Sequence, residues 1–186
     1  DGSEKFYIKY PKFVTGRSTA RWRLMNSPPA PLTRTAVEDS ITKAFAEVND
    51  YRPFVKSTDN TEDVAIWFGV PDQLGGNAKG GPGGWGGPDA FNADGTSKHG
   101  TIYIDTAEPW STDYVTPSDR VDLRSVFLHE IGHVLGLGHS SVLDAVMDPE
   151  LFPGWQRRTL TDDERFGLAQ YYKNSYTRMP GSGTDI

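Results

Sequence analysis

The chain has no cysteine among its 186 residues, so it can form no disulfide and offers no thiolate to a metal. The absence fits an oxidising or a reducing compartment and does not decide location. The sequence also lacks an apolar run close to the roughly 18 residues of a membrane-spanning helix, and its N-terminus has no apolar signal-peptide core. We therefore expect a soluble segment without membrane insertion.

Positive charge is in deficit, because 19 Lys and Arg residues face 25 Asp and Glu residues and the formal net charge is -6. A nucleic acid or an anionic membrane would favour a basic face, so the composition argues against both partners. A chain of 186 residues can bury a substantial core in one domain without disulfides or oligomerisation. A single-domain monomer is the expectation.

Histidine is scarce as well, yet three of the four histidines fall into one stretch that reads H-E-x-x-H-x-x-G-x-x-H. His129 and His133 are one helical turn apart on the same face, so both imidazoles can bind one ion. Glu130 emerges beside this pair, where it can hold a metal-bound water as a general base. Gly136 allows the helix to stop and the chain to reverse, which brings His139 back as the third ligand.

Three neutral imidazoles leave the fourth tetrahedral position of a zinc ion open to water, which is typical of a catalytic site. The motif therefore predicts hydrolysis by a zinc-bound water that Glu130 activates. An amphipathic core helix with surface histidines explains the pattern poorly, and a structural zinc site would need a fourth protein ligand. A non-peptide amide hydrolase stays open. So does a catalytically inactive zinc-fold binding module, although such a module would not need Glu130.

The residues that follow the motif extend the pattern, and they are Ser140, Ala145, Val146 and Met147. This arrangement resembles the matrixins, the metzincin metallopeptidases that include the matrix-metalloproteinase catalytic domains. In that family the methionine packs beneath the metal and does not bind it. Two outer segments are also similar to the family: Tyr10–Phe13, and Leu160–Tyr172 with Asp163, Gly167 and Gln170.

The resemblance implies a secreted zinc endopeptidase that acts on protein or peptide substrates. It also implies a pocket for the residue that follows the scissile bond, formed by Ser125, Val126, Pro149 and Leu151. Ser125 is small and stands where matrixins vary the pocket floor, so a medium to deep apolar pocket is expected. Leu151 replaces an aromatic residue that is frequent in the family.

Matrixins usually hold a second, structural zinc with three histidines and an aspartate. Only His99 remains outside the motif, and Tyr103 and Asp89 stand where the family places ligating histidines. We therefore expect one catalytic zinc, no structural zinc, and an exposed loop position for His99.

Calcium is the other candidate cofactor. Asp105 and Glu108 match the carboxylates of a family calcium site, and the glycine loop at 80–84 could add carbonyl oxygens. These acids could equally be solvated loop residues, since the aspartate expected at the start of that loop is Gly80 here.

The pattern of elements predicts an α+β domain with a metzincin-like fold. A twisted mixed sheet would be backed by two long helices, one of them carrying the zinc motif, and a C-terminal helix would follow. Strands are predicted at Ala20–Leu24, Val64–Phe68 and Thr101–Asp105, and helices at about 34–49, 122–135 and 161–173. The predicted helix starts are a capping box of Thr35 with Glu38, an N-cap at Asp122, and a capping box of Thr161 with Glu164.

Glycine is concentrated between Gly75 and Gly87, where it makes up eight of thirteen residues, and this predicts a loop. The catalytic domain is expected to span 1–174. A flexible C-terminal tail is expected at 175–186.

Overall fold

The structure is a computed structural model that describes residues 8–172. In chain order its elements are β1 (Ala20–Leu24), α1 (Arg34–Val48), β2 (Phe54–Lys56), β3 (Val64–Phe68), β4 (Gly84–Phe91), β5 (Ser97–Ile104), β6 (Trp110–Ser111), β7 (Val121–Asp122), α2 (Leu123–Val134) and α3 (Asp162–Tyr172). Strands β1 to β5 form one sheet in the order β2-β1-β3-β5-β4. Only β4 runs antiparallel to its neighbour in this sheet. A mixed sheet with three helices in the described chain confirms the predicted α+β fold.

The side-chain patterns of β1 and β3 explain why these two segments form strands inside the sheet. Burial alternates along β1, whose apolar residues point inward while Arg21 and Arg23 are half-buried. β3 pairs with β1 on one edge and β5 on the other, and four of its five consecutive residues are buried, so its apolar run is covered on both faces. Both predictions are confirmed, whereas β5 starts four residues before the predicted Thr101 and ends before Asp105.

Helix α1 has the predicted buried stripe but a different cap. The buried apolar residues are Val37, Ile41, Ala44, Phe45 and Val48. Thr33 is the N-cap, and its hydroxyl oxygen accepts a hydrogen bond from a backbone N–H of the first turn. The predicted capping box of Thr35 with Glu38 is wrong, because the helix has already begun at Arg34. Glu38 instead forms ion pairs with Arg34 and Lys56.

The glycine-rich stretch is a strand in its second half. β4 begins at Gly84 and pairs with β5, with Gly86 opposite Ile102. The prediction of a loop is therefore wrong from Gly84 onward. Hydrogen bonds to β5 hold this backbone in place, and the missing side chains allow a close approach of α2, which packs against β4, β5 and α1.

The zinc motif lies in the main hydrophobic core, since α2 contributes Phe127, Leu128 and Ile131 as fully buried side chains. None of the helices within 8–172 combines the length and apolar character needed to cross a membrane. The predicted domain boundary at 174, the predicted end of α3 near 173 and the predicted tail at 175–186 lie outside the described residues.

Candidate functional site

Helix α2 is held at both ends by the residues that the sequence indicates. Asp122 is the N-cap, and its carboxylate accepts a hydrogen bond from the N–H of Ser125 at 3.0 Å. At the other end Gly136 has a φ of 109°, a conformation that favours glycine. The N–H of Leu137 binds the carbonyl of Gly132, and the N–H of Gly136 binds the carbonyl of His133. This is a Schellman motif, and it turns the chain back toward the helix as predicted.

The reversal brings His129, His133 and His139 together, with one ligand atom from each residue within 4.8 Å of the others. The Nδ1 atoms of two rings face backbone carbonyls: His129 faces Val146 at 2.8 Å and His133 faces Leu137 at 2.9 Å. With Nδ1–H as donor in a neutral ring, each Nε2 atom has a free lone pair. Within the described chain this is the one group of three or more histidine, aspartate or glutamate residues close enough to hold a metal.

This set of donors fits a zinc ion. The two Nε2 atoms of His129 and His133 are 3.1 Å apart, and ligand nitrogens on a tetrahedral zinc lie about 3.3 Å apart. Burial lowers the pKa of His129 to about 3 and that of His133 to about 4. Both imidazoles are therefore neutral at pH 7, as metal binding requires.

Glu130 is enclosed between α2 and β4. The backbone N–H of Gly86 donates a hydrogen bond to its carboxylate, while Oε2 is buried without a hydrogen-bond partner. Burial raises the pKa of Glu130 to about 8. A Cβ on Gly86 would lie 2.5 Å from the carbonyl oxygen of Glu130, and one on Gly84 would lie 3.0 Å from Oε1. Sequence reasoning missed these two glycines as site residues, because their role depends on a contact between distant parts of the chain.

Met147 is buried beneath the helix that carries the motif. A Cβ on Gly132 would lie 2.3 Å from the sulfur of Met147, so the motif glycine leaves room for the methionine. The N–H of Met147 donates to Glu164 at 3.0 Å. The Glu164 carboxylate also accepts from the N–H of Thr161 at 2.9 Å, which is half of the predicted capping box. Glu164 thus links the start of α3 to the turn below the histidines.

A cleft of about 740 Å³ runs past the histidines. All four predicted pocket residues line it, namely Ser125, Val126, Pro149 and Leu151. It is also lined by residues that the sequence did not single out, among them Lys9, Trp85, Phe152 and Arg157. Tyr10, from the N-terminal segment, also lines the cleft, and its ring makes a T-shaped contact with that of His133 at a centroid distance of 5.9 Å. No local pattern marks these residues, because they come from four separate segments.

His99 was predicted to lie in an exposed loop, but the structure places it in a strand. It is a half-buried residue of β5, and its Nδ1 is 2.6 Å from a carboxylate oxygen of Asp89 on β4. The prediction is wrong because β5 begins before His99. The hydrogen bond with Asp89 raises the pKa of His99 although burial opposes the shift. Tyr103 lies on the same strand, opposite Trp85.

The two predicted calcium ligands face the glycine loop. Asp105 is buried and accepts hydrogen bonds from the N–H groups of Ala78 and Ala107. Glu108 accepts from the N–H of Gly80. Both carboxylates thus bind backbone amides in this structure.

Comparison with known proteins identifies the family. The family model described as matrixin, a peptidase family, matches residues 14–173. Metalloendoproteinase 4-MMP of Arabidopsis thaliana is 47% identical over 77 residues, which are 40% of this chain and 22% of that protein. Matrix metalloproteinase-2 of Drosophila melanogaster is 39% identical over 83 residues, or 42% of this chain and 10% of that protein. Interstitial collagenase of Equus caballus is 31% identical over 150 residues, 76% of this chain and 30% of that protein. The chain therefore spans less than a third of each relative.

Proposed function

This chain belongs to the matrixin family, and from that premise we propose that it is a zinc-dependent endopeptidase that hydrolyses peptide bonds in protein substrates. The observation that carries the proposal is the convergence of three neutral imidazoles next to a buried carboxylate with an unpartnered oxygen. A purely structural metal site has no use for that carboxylate. The same residues also line a cleft large enough for a peptide.

His129, His133 and His139 would hold the zinc. Bound there, zinc acts as a Lewis acid that lowers the pKa of water toward about 7 and polarises a carbonyl. The carbonyls of Val146 and Leu137 keep the rings of His129 and His133 in the tautomer that presents Nε2.

Glu130 supplies the proton transfers. Its carboxylate accepts the proton of the attacking water as the water oxygen bonds to the peptide carbon. When the carbon–nitrogen bond breaks, Glu130 returns that proton to the leaving amine. Oε2 has no hydrogen-bond partner within the described chain, so the carboxylate keeps acceptor capacity beyond its bond from the N–H of Gly86.

The edge of the sheet supports peptide binding. β4 is the last strand in the order, and its residues Gly84, Trp85 and Gly86 line the cleft. An edge strand has backbone N–H and C=O groups that an extended peptide can pair with. A substrate strand along β4 would pass next to Glu130.

The test is a metal count on the purified protein, combined with cleavage of a broad fluorogenic peptide set with and without a zinc chelator. One zinc per chain and chelator-sensitive cleavage are expected. Zinc without cleavage would contradict the peptidase, and protein without zinc would contradict the site.

We make three finer proposals, the first of which departs from the usual pattern of the family. One is that the chain holds a single zinc, because the histidine left over, His99, binds Asp89; two zincs per chain would refute it. Another is that the protein works outside the cell as a monomer. Secretion assays test the location, and light scattering tests the oligomeric state.

The third is calcium at the glycine loop near Asp105 and Glu108. A bound calcium ion would take these carboxylates away from the amides of Ala78 and Gly80. A rise in melting temperature with calcium that magnesium does not reproduce is the expected result. An unchanged melting temperature would exclude the ion at this place.

A further inference from the structure

Arg157 separates the cleft from a second hollow. The cleft has a volume of about 740 Å³, and a second hollow has a volume of about 440 Å³. The second hollow is lined by Asp144, Trp155, Gln156, Arg157, Arg158 and Thr159. Arg157 is the residue common to both linings in the described chain, so it borders both spaces.

The side chain of Arg157 is held at this place by several hydrogen bonds. One terminal nitrogen, Nη1, donates to the carbonyls of Asp148 at 3.3 Å and Glu150 at 2.6 Å. The other, Nη2, forms an ion pair with the carboxylate of Asp148 at 3.0 Å. The backbone N–H of Arg157 donates to the hydroxyl of Ser125 at 2.7 Å. Arg157 thus connects the predicted pocket floor at Ser125 to Asp148 and Glu150, the residues on either side of the pocket residue Pro149.

This arrangement resists displacement by a substrate side chain. Arg157 is only 6% exposed. The ring of Trp155 covers the guanidinium from the second hollow, with 5.7 Å between the guanidinium carbon and the ring centroid. An apolar side chain pushing into this space would break the ion pair with Asp148 and the hydrogen bonds to two backbone carbonyls, which carries an energetic cost.

We propose that Arg157 is the specificity-determining residue that closes the pocket for the residue after the scissile bond and limits it to side chains of moderate length. The proposal rests on the proposed peptidase function. It narrows the expectation of a medium to deep pocket, because the small Ser125 leaves the floor open but Arg157 fills the space behind it. A shorter side chain at 157 would join the cleft to the second hollow.

The experiment measures peptide binding without turnover. Zinc-loaded Glu130→Gln protein is titrated against two fluorescein-labelled hexapeptides that differ only in the pocket residue, leucine in one and 4-phenylphenylalanine in the other. Fluorescence anisotropy gives the two dissociation constants. The Glu130→Gln protein is expected to bind the leucine peptide at least about tenfold more tightly, since a misfit of a single methylene is worth about tenfold or more. Adding Arg157→Ala is expected to raise the relative affinity for the long residue by about tenfold.

The matched control is Arg124→Ala in the same background. Arg124 is half-buried, has a buried Nε without a partner as Arg157 does, and forms an ion pair with Glu47. It donates to the carbonyl of Arg158 but lines neither space. It should leave the ratio of the two dissociation constants unchanged. An equal shift with Arg124→Ala would overturn the proposal, because the effect would then be general loosening.

Two further outcomes would also overturn it. One is equal binding of both peptides by Glu130→Gln alone, a result that does not depend on whether the Arg157→Ala protein folds. The other is an unchanged ratio in folded Arg157→Ala protein. Because binding is read without turnover, a failure of the native chain to cleave peptides would refute the peptidase and leave this test decisive.

Discussion

A carboxylic acid surrounded by protein holds its proton more tightly than one in water, and Glu130 is buried at the edge of the cleft. Burial raises its pKa to about 8, while the N–H of Gly86 works in the opposite direction. A cation held by the neighbouring histidines would favour the charged form. We therefore expect the pKa of Glu130 in the zinc-bound protein to be close to neutral, so that the carboxylate can both take and return a proton.

Replacing Glu130 by glutamine should remove these proton transfers and leave the histidines in place. We expect zinc content to stay at one per chain while kcat/KM on peptides falls by about 10²–10⁴-fold, the usual contribution of a general acid–base. Atomic absorption and a fluorogenic peptide assay measure the two quantities. A variant that keeps its turnover would show that another group carries the proton.

The interaction between His99 and Asp89 leads to a second prediction, which concerns how the stability of the fold depends on pH. Hydrogen bonding to Asp89 raises the pKa of His99. The contribution of His99 to the free energy of unfolding is therefore full below its pKa in the unfolded chain, about 6.5, and disappears as pH rises through its higher pKa in the folded protein. For Asp89, burial raises the pKa but the hydrogen bonds from His99 and Thr101 lower it overall. Its contribution is therefore full above about pH 3.9 and is lost in acid.

Asp89→Asn should consequently lower the melting temperature most at pH 5–6, between the two reference values, and much less at pH 8.5. Thermal melts of zinc-saturated native and variant protein across this range provide the measurement. A difference that is constant with pH would mean that the two side chains do not interact as charges.

At the scale of elements, the contact between β4 and α2 determines the surroundings of Glu130. β4 can approach the helix because Gly84 and Gly86 have no side chains, and Gly132 likewise leaves room for Met147 on the other side of the helix. Adjacent glycines of β4 are not equivalent, because a Cβ on Gly87 would meet nothing within 4 Å. Only those that face α2 are constrained by packing.

Gly86→Ala and Gly87→Ala therefore form a matched pair within one strand. The first would place a methyl group 2.5 Å from the carbonyl oxygen of Glu130, and we expect a loss of about 1–3 kcal/mol of unfolding free energy, typical of overpacking, together with lower kcat/KM. The second should change neither by much. Chemical denaturation measures the free energy of unfolding, and the peptide assay measures kcat/KM. Equal effects of the two substitutions would refute the packing argument.

At the scale of the whole molecule, both ends of the described chain meet behind the histidines. The hydroxyl of Tyr172 donates to the carbonyl of Leu135 at 2.9 Å and accepts from the N–H of Phe13 at 3.0 Å. The hydroxyl of Tyr171 donates to the carbonyl of Tyr10 at 2.9 Å. The N-terminal segment, the end of α2 and α3 thus support one another, and the loop that carries His139 lies among them.

Removal of zinc should therefore weaken the whole fold. A ligand present at about 1,000 times its dissociation constant stabilises the folded state by about 4 kcal/mol, and in a domain of this size each kcal/mol corresponds to about 2–4 °C. We expect 1,10-phenanthroline to lower the melting temperature by about 8–16 °C and added zinc to restore it. His139→Ala should remove most of this response. A melting temperature that ignores both chelator and zinc would argue against a metal in the site.

Much of the fold follows from local pattern. The alternation in β1, the apolar run of β3 and the Asp122 cap of α2 were correctly predicted, because each depends on residues close in sequence. The loop predicted from Gly84 onward and the Thr35 cap were wrong. Glycine content indicates a loop only where no neighbouring strand supplies hydrogen bonds, and one residue's shift in a helix start changes the cap.

For the candidate site, the sequence by itself determined the three histidines and Glu130, because helical spacing and one glycine reversal are enough to bring their side chains together. Only the tertiary structure decided the enclosure of Glu130 by β4, the ion pair of Arg157 with Asp148 and the place of Tyr10 in the cleft. Each of these joins segments distant in the chain, and such contacts depend on how the whole core packs rather than on any local pattern.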